Sequence, residues 1–353
     1  MATPSPAEQF ASELTALQSR ISSLQDSTRL NRVRDTVEDF QTAVNGLAQR
    51  IATLRERGYA FEKELEGQAA DFAKQWTALY PTLVAQINQQ SATLAADLQL
   101  IEAQIAQLAG QQPGPLAQSL LDSLQTRIVT LEEGVSAAER QISGMYDSFD
   151  NQVGALTAHL DQLEWMLTQL AEAKFTLLPT ESGIAAVKAV WCKEVKPRDD
   201  DPAGVLYLTD QRLIFEEKEE IVTKKVLFVA TEKQKVQEMK WDAAVALLDE
   251  IKPSKAGFLK NEDHLDLRFG SGAPLETVHV HIWQDANLWV QLLNRAKTKD
   301  FDSTRAIAID PAQLAKAKSV PSQCPSCGGN INQVVLRGQD DVKCQYCGFI
   351  IHL

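Results

Sequence analysis

Along the first half of the chain, apolar residues recur every three or four positions. Val84, Ile87, Leu94, Leu98, Ile101, Ile105 and Leu108 alternate steps of three and four, with Ser91 alone polar in the series. This is the seam of a coiled coil. A second series reads Leu121, Leu124, Ile128, Leu131, Val135, Ala138, Ile142, Met145 and Phe149. It takes two steps of four through Val153 and resumes at Leu156, Leu160, Leu163, Leu167 and Leu170. Consecutive steps of four locally unwind a supercoil. Between the two series lies AGQQPGPLAQS, where Gly110 closes one helix and Pro115 opens the next. So short a connection predicts an antiparallel hairpin, with residues 115–174 as an arm of roughly 90 Å at about 1.5 Å per residue.

Upstream, Val33, Val37, Phe40, Val44, Leu47, Ile51 and Leu54 keep one heptad phase, which runs past Gly58 to Phe61, Leu65 and Phe72. A turn has no reason to preserve phase, so the reading favours one helix over 29–109, bent near Pro81, whose missing amide breaks the ladder. A three-helix bundle turning at RERGYA is the alternative. A shorter helix over 6–25 puts Phe10, Leu14, Leu17, Ile21 and Leu24 on one face and ends at QDST. Its charges, Glu8, Glu13 and Arg20, do not make the basic face of a membrane anchor. It is expected to pack on the other helices or on a second copy of the chain.

After TLLPTESG the period shifts towards two. IAAVKAVW, GVLYLTDQRLIFEE, KKVLFVA, HLDLRF and ETVHVHIW read as strands with turns between. QDANLWVQLLNRAKTK then returns to helical spacing, with Leu288, Leu292 and Ala296 on one stripe beside Trp289. Antiparallel strands followed by one helix predict a curved sheet or barrel plugged at one end. The segment between KKVLFVA and HLDLRF is long and is expected to include a helix at 241–249.

The stretch GVLYLTDQRLIF resembles the early hairpin of bacterial GRAM and pleckstrin-homology-like domains. Gly204, Thr209, Asp210, Arg212 and Phe215 match that pattern. The resemblance covers about residues 183–298 and implies a small β-barrel closed by a C-terminal helix. Some members of the family bind phosphoinositides through clustered basic residues, for which Lys224, Lys225, Lys252, Lys255 and Lys260 are the candidates here. The acidic runs RDDD and EEKEE stand close to them.

The 353 residues suffice for two or three domains. The formal charge is −12, most of the acidic excess lies in residues 1–180, and the last fifty residues are nearly neutral. A basic field of the kind that binds nucleic acid is therefore missing at regional scale. There is no apolar run of membrane-spanning length and no charged start with an apolar run typical of a secretory signal.

Catalytic patterns are also missing. No phosphate-cradling glycine loop, nucleophile elbow or HExxH occurs. Cys192 reads as a half-buried strand residue without catalytic partners. His279 and His281 alternate on a strand and so share a face, the spacing of a two-histidine metal site. With no carboxylate pattern to complete it, that face reads as solvated.

The tail carries the clearest chemistry. Cys324 and Cys327, like Cys344 and Cys347, are separated by two residues, and sixteen residues lie between the pairs. Each CxxC turn aims two thiolates at one ion, and a hairpin between them brings the pairs together into the four-sulfur tetrahedron that Zn²⁺ accepts. Gly328 and Gly348 follow each second cysteine, where positive φ is needed. INQVVLRG and DVKCQYCGFIIHL supply strands and RGQDD the turn. CPSCG followed by CQYCG resembles the zinc ribbon. A closed four-thiolate site is structural rather than catalytic. Arg337 and Lys343 are the ribbon's basic residues, set against Asp340 and Asp341, which argues against phosphate binding.

The expected fold class is thus multidomain α + β: a coiled-coil hairpin over 1–176, a PH/GRAM-like domain over 183–298, a linker over 299–322 and a zinc ribbon over 323–353. The linker is polar, with a short helical turn at 311–318, so the ribbon is expected to be mobile relative to the rest. The expected function is a cytoplasmic, non-enzymatic scaffold that oligomerises or binds a protein partner through its helices. The alternative is a peripheral membrane protein recognising lipid headgroups. Nucleic-acid binding is disfavoured by charge.

Overall fold

The computed structural model describes residues 5–193, 198, 200–226, 229–257, 261–309, 311–312, 321–331, 333–337, 339 and 341–352, with the backbone alone over 220–234. It is a mixture of long helices and antiparallel sheet, divided into two compact units. One comprises Met1–Ala48 and Gln68–Thr157, the other Gln49–Gly67 and Ala158–Leu353.

Five helices fill the first half: α1 Pro6–Ser27, α2 Asn31–Glu56, α3 Leu65–Ala109, α4 Pro115–Gly144 and α5 Asp147–Glu172. Helix α1 starts at a reciprocal cap, in which Ser5 Oγ accepts from the Glu8 amide and Glu8 returns a carboxylate to the Ser5 amide. Pro115 occupies the first turn of α4, as its fixed φ favours.

Within the first unit, Arg127 donates to Gln104 and Gly134 approaches the Leu94 side chain. Both pairs straddle the 110–114 turn almost evenly, as in the expected antiparallel hairpin. The hairpin is not alone, however. Arg20 on α1 pairs with Glu132 on α4 at 2.6 Å, Gln25 bonds Glu102 on α3, and Arg34 on α2 bonds Asn88 on α3. The two-helix hairpin is therefore replaced by a bundle.

Its core is the predicted seam, with Leu98, Ile101, Ile105, Leu121, Leu124 and Ile128 buried, entered by Leu83 rather than Val84. Phe40, Trp76 and Phe149 add an aromatic cluster, Phe40 meeting Trp76 edge-on at 4.9 Å. Truncating fully buried Ile128 to Ala is expected to cost about 2–5 kcal/mol, read as a lowered denaturation midpoint by far-UV circular dichroism.

Two continuous-helix expectations fail. The arm over 115–174 breaks at Met145–Tyr146, just before the two steps of four, and Tyr146 turns inward. The helix expected over 29–109 stops at Glu56, with Gly58 at φ +93°, the left-handed geometry that ends helices. Phe61 keeps the heptad phase because it is buried in its own right, edge-on to Phe301 at 5.6 Å. Arg55 satisfies the loop carbonyls of Tyr59, Phe61 and Glu62. Pro81 lies within α3, which continues through it.

The second unit holds a seven-stranded antiparallel sheet of β1 Gly183–Cys192, β2 Ala203–Thr209, β3 Arg212–Val226, β4 Val229–Ala244, β5 Leu248–Ala256, β6 Glu262–Phe269 and β7 Thr277–Ile282. The order is β4-β3-β2-β1-β7-β6-β5. The terminal helix agrees with expectation, but β5 and most of β4 fall in the segment read as a connection, and both are edges that pair on one side only, so the barrel is not closed.

KKVLFVA is not one strand: it spans the end of β3 and the start of β4. The helix expected at 241–249 is instead the end of β4, a 3₁₀ turn at Val245–Leu247 and the start of β5. Both edges carry protection against further pairing, Pro253 in β5 and the run of Gln, Glu and Lys in β4. Helix α6, Ala286–Lys297, is capped by Asp285 and packs on β5 and β6. It buries Ala286, Trp289, Leu293 and Ala296, so Leu288 points outward and the stripe is rotated from that expected.

Of the segment read as linker, Asp300–Thr304 forms a 3₁₀ turn, Thr304 accepts from the Lys63 amide, and Ala306 donates to Ala60. Residues 313–320 lie outside the described residues.

Candidate metal centre

Two knuckles of the same design form the tail. In the first, the Cys324 amide donates to Gly329 and the Gly328 amide returns to Cys324, both at 2.8 Å. In the second, Cys344 donates to Phe349 and Gly348 returns to Cys344 at 2.8 and 2.9 Å. Gly328 and Gly348 take φ of +71° and +75°, the left-handed geometry predicted for them. Strand β8, Asp341–Lys343, and strand β9, Ile350–His352, pair antiparallel beside the second knuckle.

The knuckles bring all four sulfurs within 4.8 Å of one another. Cys324 Sγ lies 3.7 Å from Cys347 Sγ, and Cys327 Sγ 3.7 Å from Cys344 Sγ. A tetrahedron with Zn–S bonds of about 2.3 Å has edges of about 3.8 Å, whereas a disulfide needs about 2.05 Å. The cluster therefore fits a four-coordinate ion. Amides of Cys347 and Tyr346 pull the Cys344 thiol down to about 6. At Cys327 the Gly329 amide acts downward, but the neighbouring thiols, Cys347 foremost, push it up to about 12. Tyr346 N lies 3.5 Å from Cys344 Sγ, the amide-to-sulfur contact that supports a thiolate.

The tail is tied to the β2–β3 turn, against the expectation of a mobile module. Gln211 exchanges two hydrogen bonds with the Arg337 backbone, 2.9 Å to its carbonyl and 2.5 Å from its amide. Arg337 Nη2 pairs with Asp210 and its Nε donates to Thr180. Buried Asp210 also pairs with Arg305 and accepts the Ser182 amide.

The residues that carried the family resemblance thus do structural work. Thr209 Oγ1 donates to Glu181 and accepts the Gln211 and Arg212 amides. Arg212 forks onto Glu181 and reaches Asp242 at 2.8 Å. Gly204 is required because a Cβ there would stand 1.9 Å from the Glu216 carbonyl.

The candidate lipid ligands do not converge among the described residues. Lys252 and Lys255, three apart on β5, project to opposite sides of the sheet. Lys252 pairs with Glu250 and Lys255 with Asp263. The side chains of Lys224 and Lys225, and the whole of Lys260, lie outside the described residues. No described helix is long and apolar enough to cross a membrane.

The strand face of His279 and His281 is not the solvated one expected. Both rings are half-buried, and β6 adds His264, wholly buried, with Glu262 and Asp266 on the same face. The absent carboxylate pattern is therefore present on the neighbouring strand. His264 stacks on His279 at 5.0 Å and on His281 at 4.7 Å, and His281 stacks on Trp283. Burial pushes His264 and His281 below the ordinary histidine value. Cys192, in register with His279, is buried, and its thiol is pushed up to about 11 by that burial. Alternating HLD and HVH were the only sequence signals of this cluster.

No protein-family model and no curated protein matches the chain. Among solved structures it is similar to the complex of human RhoA with the DH/PH fragment of PDZRhoGEF, at 13% identity over 84% of this chain and 96% of that chain, TM-score 0.22. It is also similar to the DH/PH domains of p115-RhoGEF, at 8% identity over 85% and 99%, TM-score 0.21. Likenesses of this size carry no argument about fold or function.

Proposed function

We propose that the chain is a non-enzymatic scaffold whose tail is built around one structural Zn²⁺, held by Cys324, Cys327, Cys344 and Cys347, and offers its outer face to a protein partner. The carrying observation is that Tyr346, Phe349 and Ile350, three large apolar residues within five positions of the second knuckle, are 64%, 43% and 50% exposed. The Tyr346 ring also lies against Gly329, where a Cβ would stand 2.5 Å from it. Exposed aromatic surface of this kind is enriched at interface centres.

Four thiolates around one ion leave no position for substrate, which argues against a reaction at the tail. Arg337 is committed to Asp210, so the tail retains little cationic surface for nucleic acid. The helical seam residues from Leu94 to Ile142 are buried in the first unit, which shifts the partner-binding role from the helices to the tail. A Tyr346→Ala, Phe349→Ala double variant is expected to keep its zinc and fold and to lose at least tenfold in partner capture from lysate relative to wild type. Unchanged capture of every bound protein would refute the reading.

A further inference from the structure

Three of the chain's five histidines lie on one face of two neighbouring strands. Register does the assembling: β6 and β7 set Asp266 opposite His279 and His264 opposite His281, while β1 sets Cys192 opposite His279 from the other side. Donor atoms of Cys192, His264 and His279 lie within 4.8 Å of one another. Trp191, Cys192, Asp266 and His279 line one open pocket.

Two of the rings are held from behind by carboxylates. His279 Nδ1 lies 2.5 Å from Asp266 Oδ1, and His264 Nε2 lies 3.4 Å from Glu262 Oε2. The remaining nitrogens, His264 Nδ1 and His279 Nε2, face each other at 2.9 Å. Each neutral imidazole owns one N–H. With both turned to the carboxylates, His264 Nδ1 and His279 Nε2 present their lone pairs to each other with Cys192 beside them, a set of donors that a metal ion would satisfy. A carboxylate behind each imidazole is the arrangement that orients histidine ligands towards a metal.

We propose that Cys192 Sγ, His264 Nδ1 and His279 Nε2 form a second metal site, for a borderline-soft divalent ion such as Zn²⁺, with its fourth position open to water from the adjoining pocket. A donor set of one thiolate and two imidazoles suits Zn²⁺ over Mg²⁺ or Ca²⁺. The thiol proton leaves to solvent when the ion binds. Glu262, His264 and His281 form a second compact triad, but it shares His264 and lacks a carboxylate behind each ring. This site differs in kind from the tail: it has an open position and is built on the sheet.

The test is zinc stoichiometry of the full chain, equilibrated with Zn²⁺ and freed of excess by gel filtration. Two ions per chain are expected for wild type and for His281→Gln, and one each for Cys192→Ser, His279→Gln and the Cys344→Ser, Cys347→Ser variant. One ion in wild type and none in the tail variant would overturn the proposal, as would two ions in Cys192→Ser. Cobalt loading guards against loss through misfolding. The tail variant, with native tryptophan fluorescence, is expected to keep a thiolate-to-cobalt charge-transfer band that Cys192→Ser removes from it. A folded tail variant without that band overturns the proposal.

Discussion

Replacing Cys344 and Cys347 with serine is expected to release the Zn²⁺ proposed for the tail and to unfold both knuckles while the helical circular dichroism signal stays at its wild-type value. The described tail has two three-residue strands and buries only Cys324, Val342, Cys344 and Ile351 among its apolar side chains. So small a core cannot offset the chain entropy of thirty residues. Structural zinc supplies about 10–16 kcal/mol of apparent binding free energy in comparable modules. Hydrogen exchange reads the result: the Gly328 and Gly348 amides, both bonded back to the first cysteine of their knuckle, should lose protection together. A parallel loss of helicity would show that the tail is not a separate folding element.

Replacing Asp210 with alanine is expected to cost about 3–5 kcal/mol, the usual cost of removing one partner from a buried ion pair. Asp210 is buried between the guanidinium groups of Arg305 and Arg337, both also largely buried. Without the carboxylate, among the described residues, Arg337 loses its anionic partner and Arg305 keeps only Asp302 at 3.2 Å. The variant should unfold the second unit at lower urea concentration, which tryptophan fluorescence reports, because five of the six tryptophans lie there. A change below about 1 kcal/mol would mean that the turn, for all its bonds, is not what holds these segments together. The Ser182 amide would also lose its acceptor, and exchange at that residue gives an independent check.

The parts of the fold legible in the sequence were those written locally. Heptad spacing predicted the helical core because i, i+3 and i+4 neighbours share a helix face whatever lies beyond. The CxxC pairs were legible for the same reason, since each knuckle is complete within six residues. Gly58 shows the limit: Phe61 and Leu65 continued the phase by coincidence, being buried for reasons of their own. Strand β4 was missed because an edge strand facing solvent needs polar residues, and its Gln, Glu and Lys look like a loop.

The histidine cluster was out of reach for a different reason. Cys192, Glu262, His264, Asp266, His279 and His281 come from three strands, and only the register of β1, β6 and β7 unites them. The family resemblance at residues 204–215 found a real structural knot, in which its Thr, Asp and Arg bind Glu181, Asp242, Arg305 and Arg337.

A tail metal that shapes a recognition surface and performs no reaction requires a closed coordination sphere. Zinc-edge X-ray absorption on the His279→Gln chain, in which the tail is the remaining metal site, tests this directly. Four sulfur neighbours at about 2.3 Å and no lighter atom in the first shell are predicted. A first shell of three sulfurs and one oxygen would contradict the claim, because it would leave the ion a position at which to bind substrate.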